Sequence, residues 1–225
     1  MKYFVEFVGT FLLLTIIGFF KNPLIIGIGL SILIYLGAKF SGAHYNPAVS
    51  ISFYLKKTIS LRTCIKYIFF QVLGAISSAT VLSIIGKNLI ISPTKGESIF
   101  LIIASEFFFT FLMMFVILVV AIYPKTKGNN YYGLAIGLTV SLGIYLVGNI
   151  SGAVFNPSVF IGPSFIDYLN GGNTINNIYL YVFSTISGSL FAVFIYNLFI
   201  EKNKLWEFHN EFNYYTLVGK FLVQC

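Results

Sequence analysis

Two asparagine-proline pairs, Asn46-Pro47 and Asn156-Pro157, sit in matching apolar surroundings, SGAHYNPAV from Ser41 and SGAVFNPSV from Ser151, 110 residues apart. Proline is tolerated at the first helical position because its missing N–H would be unpaired there anyway. Each pair therefore reads as a helix start with the asparagine as its cap. An asparagine amide also carries two N–H donors, which can replace hydrogen bonds that an uncharged solute oxygen gives up on leaving bulk water. A helix N-terminus bears about half a positive charge, so two of them facing each other repel protons and cations and leave neutral molecules unaffected. This is the chemistry of selective passage. Bond making would need clustered nucleophile, base or metal ligands. The chain has two histidines, His44 and His209, and two cysteines, Cys64 and Cys225, so no metal site, cofactor or enzyme activity is expected.

The elements that position these pairs are themselves duplicated. EFVGTFL at Glu6 recurs as EFFFTFL at Glu106, and YIFFQVLGA at Tyr67 as YVFSTISGS at Tyr181. The chain reads as a duplication, with repeat one at 1–95, repeat two at 96–200 and a tail at 201–225. Its composition, 57% hydrophobic and 9% charged, contrasts with roughly 45–50% apolar and about 25% charged in soluble domains, so lipid must solvate most of it. Charged residues bracket stretches at Tyr3 to Phe20, Lys21 to Lys39 and Tyr67 to Gly86, and three more follow at Ser98 to Tyr123, Tyr131 to Asn149 and Ile178 to Ile200. Each is close to the ~20 residues that cross a ~30 Å hydrocarbon core. Three spans per repeat is an odd number, so the second repeat must be inverted relative to the first.

In each repeat the Asn-Pro motif follows the second span, in a stretch too apolar for a surface loop and too interrupted for a full crossing. That pattern predicts a re-entrant segment. Asn46 to Lys56, as helix, rises ~15 Å, half the core, and Asn156 to Asp167 is similar, so the two asparagines should meet near the midplane. Small residues inside spans, at Gly29, Gly74, Gly137 and Gly188, are expected to permit close helix crossing.

The net charge of +7 follows the membrane and calls for no nucleic-acid partner. With both termini cytoplasmic, eleven of the 14 basic residues fall inside, and only Lys21, Lys87 and Lys95 outside, as the positive-inside rule requires. Lys2 leads straight into a full span, so the first helix is expected to serve as its own targeting signal. Two cysteines make no disulfide framework. The tail mixes Trp206, Phe208, Phe212 and Phe221 with charge and is expected to lie on the membrane surface.

The repeated SGAHYNPAV and SGAVFNPSV, each with a Glu-Thr-bearing helix ahead of it, resemble the major intrinsic protein family of aquaporins and aquaglyceroporins over residues 1 to about 200. The resemblance implies an all-α membrane fold, a right-handed bundle of six transmembrane helices plus two re-entrant half-helices in inverted repeats. It also implies a passive channel for water or small neutral solutes such as glycerol, urea or ammonia, and a homotetramer with one pore per subunit. Opposed half-helix N-termini are an established proton barrier in such pores. On this pattern Asn46, Pro47, Ala48, Asn156, Pro157 and Ser158 form the pore motif, and Glu6 and Glu106 accept hydrogen bonds from the loop backbone. The outer constriction would be Ile28, Ile144, Ala153 and Val159. The chain departs from the family at Ser158, usually alanine, and at Val159, usually arginine. Water-selective members, with an arginine, a histidine and an aromatic in that ring, match it poorly.

Other readings weigh against these residues. Intramembrane carboxylates are by default functional, so Glu6 and Glu106 could instead relay protons. His44 could sense pH or hold its loop, and Val154 takes its place in the second repeat. A coupled secondary transporter also uses inverted repeats and broken helices, and a weakly conducting or non-conducting structural protein could retain the same fold.

Overall fold

A computed structural model of the chain describes residues 1–201, with side chains to 200. Among the described residues eight α-helices follow in order: α1 Lys2–Phe19, α2 Pro23–Ser41, α3 Pro47–Leu55, α4 Leu61–Ile84, α5 Ile99–Ile117, α6 Tyr132–Val147, α7 Pro157–Leu169 and α8 Ile178–Tyr196. Single π-turns extend α5 over Leu118–Ile122 and α8 over Asn197–Glu201. No strand occurs among the described residues. Five of the helices, counting their extensions, are long and apolar enough to cross a membrane, and α6 is a shorter apolar helix of 16 residues. The two half-helices, α3 and α7, have 9 and 13 residues. The all-α bundle expected from the sequence is the fold observed, and the expected tail lies outside the described residues.

Local signals set the boundaries. Asn22 Oδ1 accepts from the backbone N–H of Leu24 and Ile25 just ahead of Pro23, so α2 starts there, and Gly42 at φ 89° ends it. Ser60 and Ser98 cap α4 and α5 through Thr63 N–H and Leu101 N–H. The third span therefore begins at Leu61 and not at Tyr67 as the charges suggested. Arg62 and Lys66 belong to its first two turns, and the Lys66 ammonium lies 5.1 Å from the Tyr3 ring centroid. Long cationic side chains reach the interface from inside a helix, so they bracket a span only loosely. The second half-helix likewise runs two residues past the expected Asp167.

Several helix crossings close on glycine. A Cβ at Gly74 would stand 2.4 Å from Phe7 O of α1, and one at Gly188 would stand 2.3 Å from Phe107 O of α5. Between α2 and α6, a Cβ at Gly27 would come 2.3 Å from Gly137 O, and one at Gly137 would come 2.2 Å from Gly27 O. Backbone oxygens cannot move aside as a side-chain tip can, so Gly74→Ala should separate α1 from α4. Overpacking of this kind costs about 1–3 kcal/mol. Thermal unfolding in detergent is expected to fall by several degrees for Gly74→Ala. The loss should be smaller for Gly29→Ala, where the added carbon would meet the tip of the Ile16 side chain at 2.8 Å and that tip can turn aside.

Candidate functional site

The two loops ahead of the half-helices adopt the same improbable backbone. Gly42, Ala43 and Tyr45 have φ of 89°, 51° and 49°, and Gly152, Ala153 and Phe155 have 93°, 51° and 52°. A non-glycine residue in this region costs on the order of 1–3 kcal/mol unless its surroundings hold it there. Here a buried carboxylate holds each loop. Glu6 accepts from Ser41 Oγ at 2.6 Å, His44 N–H at 3.0 Å, Tyr45 N–H at 2.7 Å and Gln71 Nε2 at 2.8 Å. Glu106 accepts from Ser151 Oγ at 2.7 Å, Val154 N–H at 2.9 Å and Phe155 N–H at 2.8 Å. Both are fully buried, and neither lines the central cavity.

Sequence reasoning missed several supporting groups. Tyr67 OH donates to Ser41 O at 2.6 Å, and Tyr181 OH to Ser151 O at 2.5 Å. The two tyrosines occupy the same place in the repeat, and a hydroxyl kept at one register in two apolar spans was the available signal. Gln71 donates to both Glu6 and Ser50 Oγ. Its counterpart, Thr185, hydrogen-bonds within its own helix to Tyr181 O. The first carboxylate thus has one donor more than the second. Glu6→Gln is expected to lower the unfolding temperature more than Glu106→Gln, because an amide N–H turned toward these donors leaves more of them unpaired, at about 1–3 kcal/mol each. Equal losses in the two variants would contradict this.

At the loop tips the two repeats meet. Asn46 Oδ1 accepts from Ala48 N–H at 2.9 Å, and Asn156 Oδ1 accepts from Ser158 N–H at 3.0 Å, so each asparagine caps its own half-helix. Asn46 Nδ2 donates to Phe155 O and Asn156 Nδ2 to Tyr45 O, both at 2.9 Å. Sequence alone suggested two donors per amide for a passing solute. One of them is instead fixed on the opposite loop, which leaves one N–H on each side chain. Both asparagines border a central cavity of about 300 Å³. Its remaining wall is mostly aliphatic, with Ile26 and Leu30 from α2, Met113 from α5 and Ile136 from α6.

Ile144, Ala153 and Val159 all line this cavity, but Ile28 does not. It is 37% exposed on the outer face of α2, in a groove with Ile16 and Phe20. With α2 starting at Pro23, the helical period puts Ile26, Leu30 and Ile34 on the inner stripe, and Ile28 points away from it. Ile26 takes its place at the cavity wall. His44 lines the cavity too, with Nδ1 3.1 Å from Ser50 Oγ and its ring 4.4 Å from that of Phe53. The Ser158 hydroxyl is buried without a hydrogen-bond partner.

Among the described residues, six apolar helices enclose two capped half-helices that meet head to head beside a cavity, which defines a multi-pass membrane protein. The family model for major intrinsic proteins matches residues 13–196, and the chain belongs to that family. It is 32% identical over 210 residues to a glycerol uptake facilitator protein-like 6 of Lactiplantibacillus plantarum, covering 86% of this chain and 95% of the relative. It is 30% identical over 181 residues to aquaporin NIP1-2 of Oryza sativa subsp. japonica and 31% identical over 175 residues to nodulin-26 of Glycine max, each alignment covering 76% of this chain. Against those plant relatives the chain spans only 58% and 62% of their length. The X-ray structure of the aquaglyceroporin from Plasmodium falciparum superposes with a TM-score of 0.77 at 26% identity, over 88% of this chain and 96% of that one.

Proposed function

We propose that this chain is a passive channel for water and small neutral solutes such as glycerol, urea or ammonia, and not an enzyme or a coupled transporter. The observation that carries this reading is the pair of capped half-helix starts, tied by reciprocal asparagine-to-carbonyl bonds beside a mostly aliphatic lumen. A neutral solute finds one amide N–H from each of Asn46 and Asn156, while two positive helix ends oppose protons and cations. Glu6 and Glu106 support the loops. All their partners are donors and neither borders the lumen, which favours this role over a proton relay. Ile144, Ala153 and Val159, with Ile26, form the selectivity ring.

The channel domain is 1–200, in repeats 1–95 and 96–200, with a tail from 201 to 225. The face that carries Met1, Lys39, Lys56, Arg62 and Lys125 lies in the cytoplasm by the positive-inside rule, and the functional unit is a homotetramer in lipid. Stopped-flow light scattering on proteoliposomes tests the reading. Water and at least one of glycerol, urea or ammonia should move faster than through empty vesicles, at a rate set only by the solute's own gradient. Flux that follows an imposed proton or sodium gradient would establish a transporter instead.

A further inference from the structure

At the face where the chain begins, α1 and α4 start side by side, and their first turns concentrate positive charge on one aromatic surface. The Lys2 ammonium lies 5.3 Å from the Tyr3 ring centroid and 6.0 Å from that of Tyr67, and its Nζ donates to Thr63 Oγ1 at 3.3 Å. The Lys66 ammonium lies 5.1 Å from the same Tyr3 ring. Arg62, exposed, is one helical turn before Lys66 and so shares its face of α4. Tyr3 is held rigidly for this, stacked on Phe70 at 5.8 Å and edge-on to Tyr67 at 5.9 Å.

Two ammonium groups over one ring each gain a cation–π attraction of about 0.5–1 kcal/mol and repel each other. No carboxylate offsets them among the described side chains. Glu6 is taken up by four donors. Glu97 stands just before α5 and Asp167 near the end of α7, both on the opposite face, and Glu106 is buried against the second loop. The N-terminal N–H groups of two neighbouring helices add positive partial charge at the same level.

We propose that this cluster of Lys2, Arg62 and Lys66 binds the phosphate headgroup of an anionic phospholipid. The surroundings favour a lipid over a soluble anion. Phe4, Ile65 and Phe69, exposed at 65%, 58% and 61%, continue the surface toward the hydrocarbon, where an acyl chain would lie. Basic residues at this depth each gain on the order of 1 kcal/mol against anionic lipid. At the other end of the same helix pair, Lys87 lies over Phe19 at 5.1 Å as a single cation, which supplies an internal control.

Thermal unfolding of the full chain in detergent, with phosphatidylglycerol, phosphatidylcholine or inorganic phosphate added, tests the assignment. Phosphatidylglycerol should raise the midpoint by about 2–4 °C over phosphatidylcholine. Lys66→Gln should reduce that difference and the pair Lys2→Gln with Lys66→Gln should abolish it, whereas Lys87→Gln should keep it. Should the paired variant fail to fold, Arg62→Gln with Lys66→Gln reads the same site from α4 alone. Equal shifts with the two lipids, or retention of the shift in both paired variants, would overturn the proposal. A shift reproduced by inorganic phosphate would make the cluster a free-anion site and overturn the lipid assignment.

Discussion

Asn46→Leu or Asn156→Leu is expected to reduce water and solute flux to the background of empty vesicles. Each substitution removes three things together: the cap of its own half-helix, the bond to the opposite loop, and the lumen donor. The cap contributes about 1 kcal/mol, and the carbonyl left without its partner, Phe155 O or Tyr45 O, costs about 1–3 kcal/mol where it stays dry. Because the crossing bonds are reciprocal, damage on one side loosens both loops, and unfolding should shift down for either variant. Asn46→Asp separates the effects. It keeps the Oδ1 acceptor for Ala48 N–H, loses the donor to Phe155 O and adds a negative charge at the point where cations are opposed. Its helix cap should survive and its proton exclusion should weaken. Stopped-flow scattering for water and a pH-sensitive dye inside the vesicles read the two outcomes. Water flux at the unmutated level in both leucine variants would place the asparagines off the conduction path.

The bundle was legible because its causes are local or periodic. Spans are long apolar runs, and the half-helices follow from Asn-Pro in an apolar stretch of half-span length, repeated once. Boundaries were less legible, since Lys66 looked like the end of a span when it is a side chain reaching outward from the second turn of α4. The register of α2 was misjudged at Ile28 because nothing near it in the sequence distinguishes it from Ile26. Both are isoleucines two positions apart, and only the turn of the helix sends one to the cavity and the other to the outer surface. The crossing bonds could not be read at all. They join residues 109 and 111 apart, and their donors are the same amides that a local reading assigns to a solute. The fourth donor to Glu6 was hidden for a related reason, as Gln71 and its counterpart Thr185 differ and the repeat pattern therefore gives no sign of a shared role.

The largest expected change in selectivity comes from Val159→Arg. Val159 is 5% exposed at the cavity wall, in the first turn of α7, with Ile144 and Ala153 also on the wall. A ring of this composition offers no fixed charge, and its only donors and acceptors belong to the backbone, so water gains little on entering. A solute with apolar surface loses less there. Arginine would change both the width and the chemistry, since its long side chain fills lumen volume and its five N–H donors favour small polar molecules. Pore selectivity follows diameter, lining donors and electrostatic barriers, and all three shift toward water. Glycerol or urea flux is expected to fall about tenfold, a rise of roughly 1.4 kcal/mol in barrier, while water flux changes by about twofold or less. Val159→Met supplies bulk without charge or donors. It should lower solute and water flux together, and so isolate the contribution of the guanidinium. Unmutated vesicles that pass water rapidly and exclude glycerol, urea and ammonia would show that this ring is not the constriction, and equal fractional losses of glycerol and water in Val159→Arg would show that it does not discriminate.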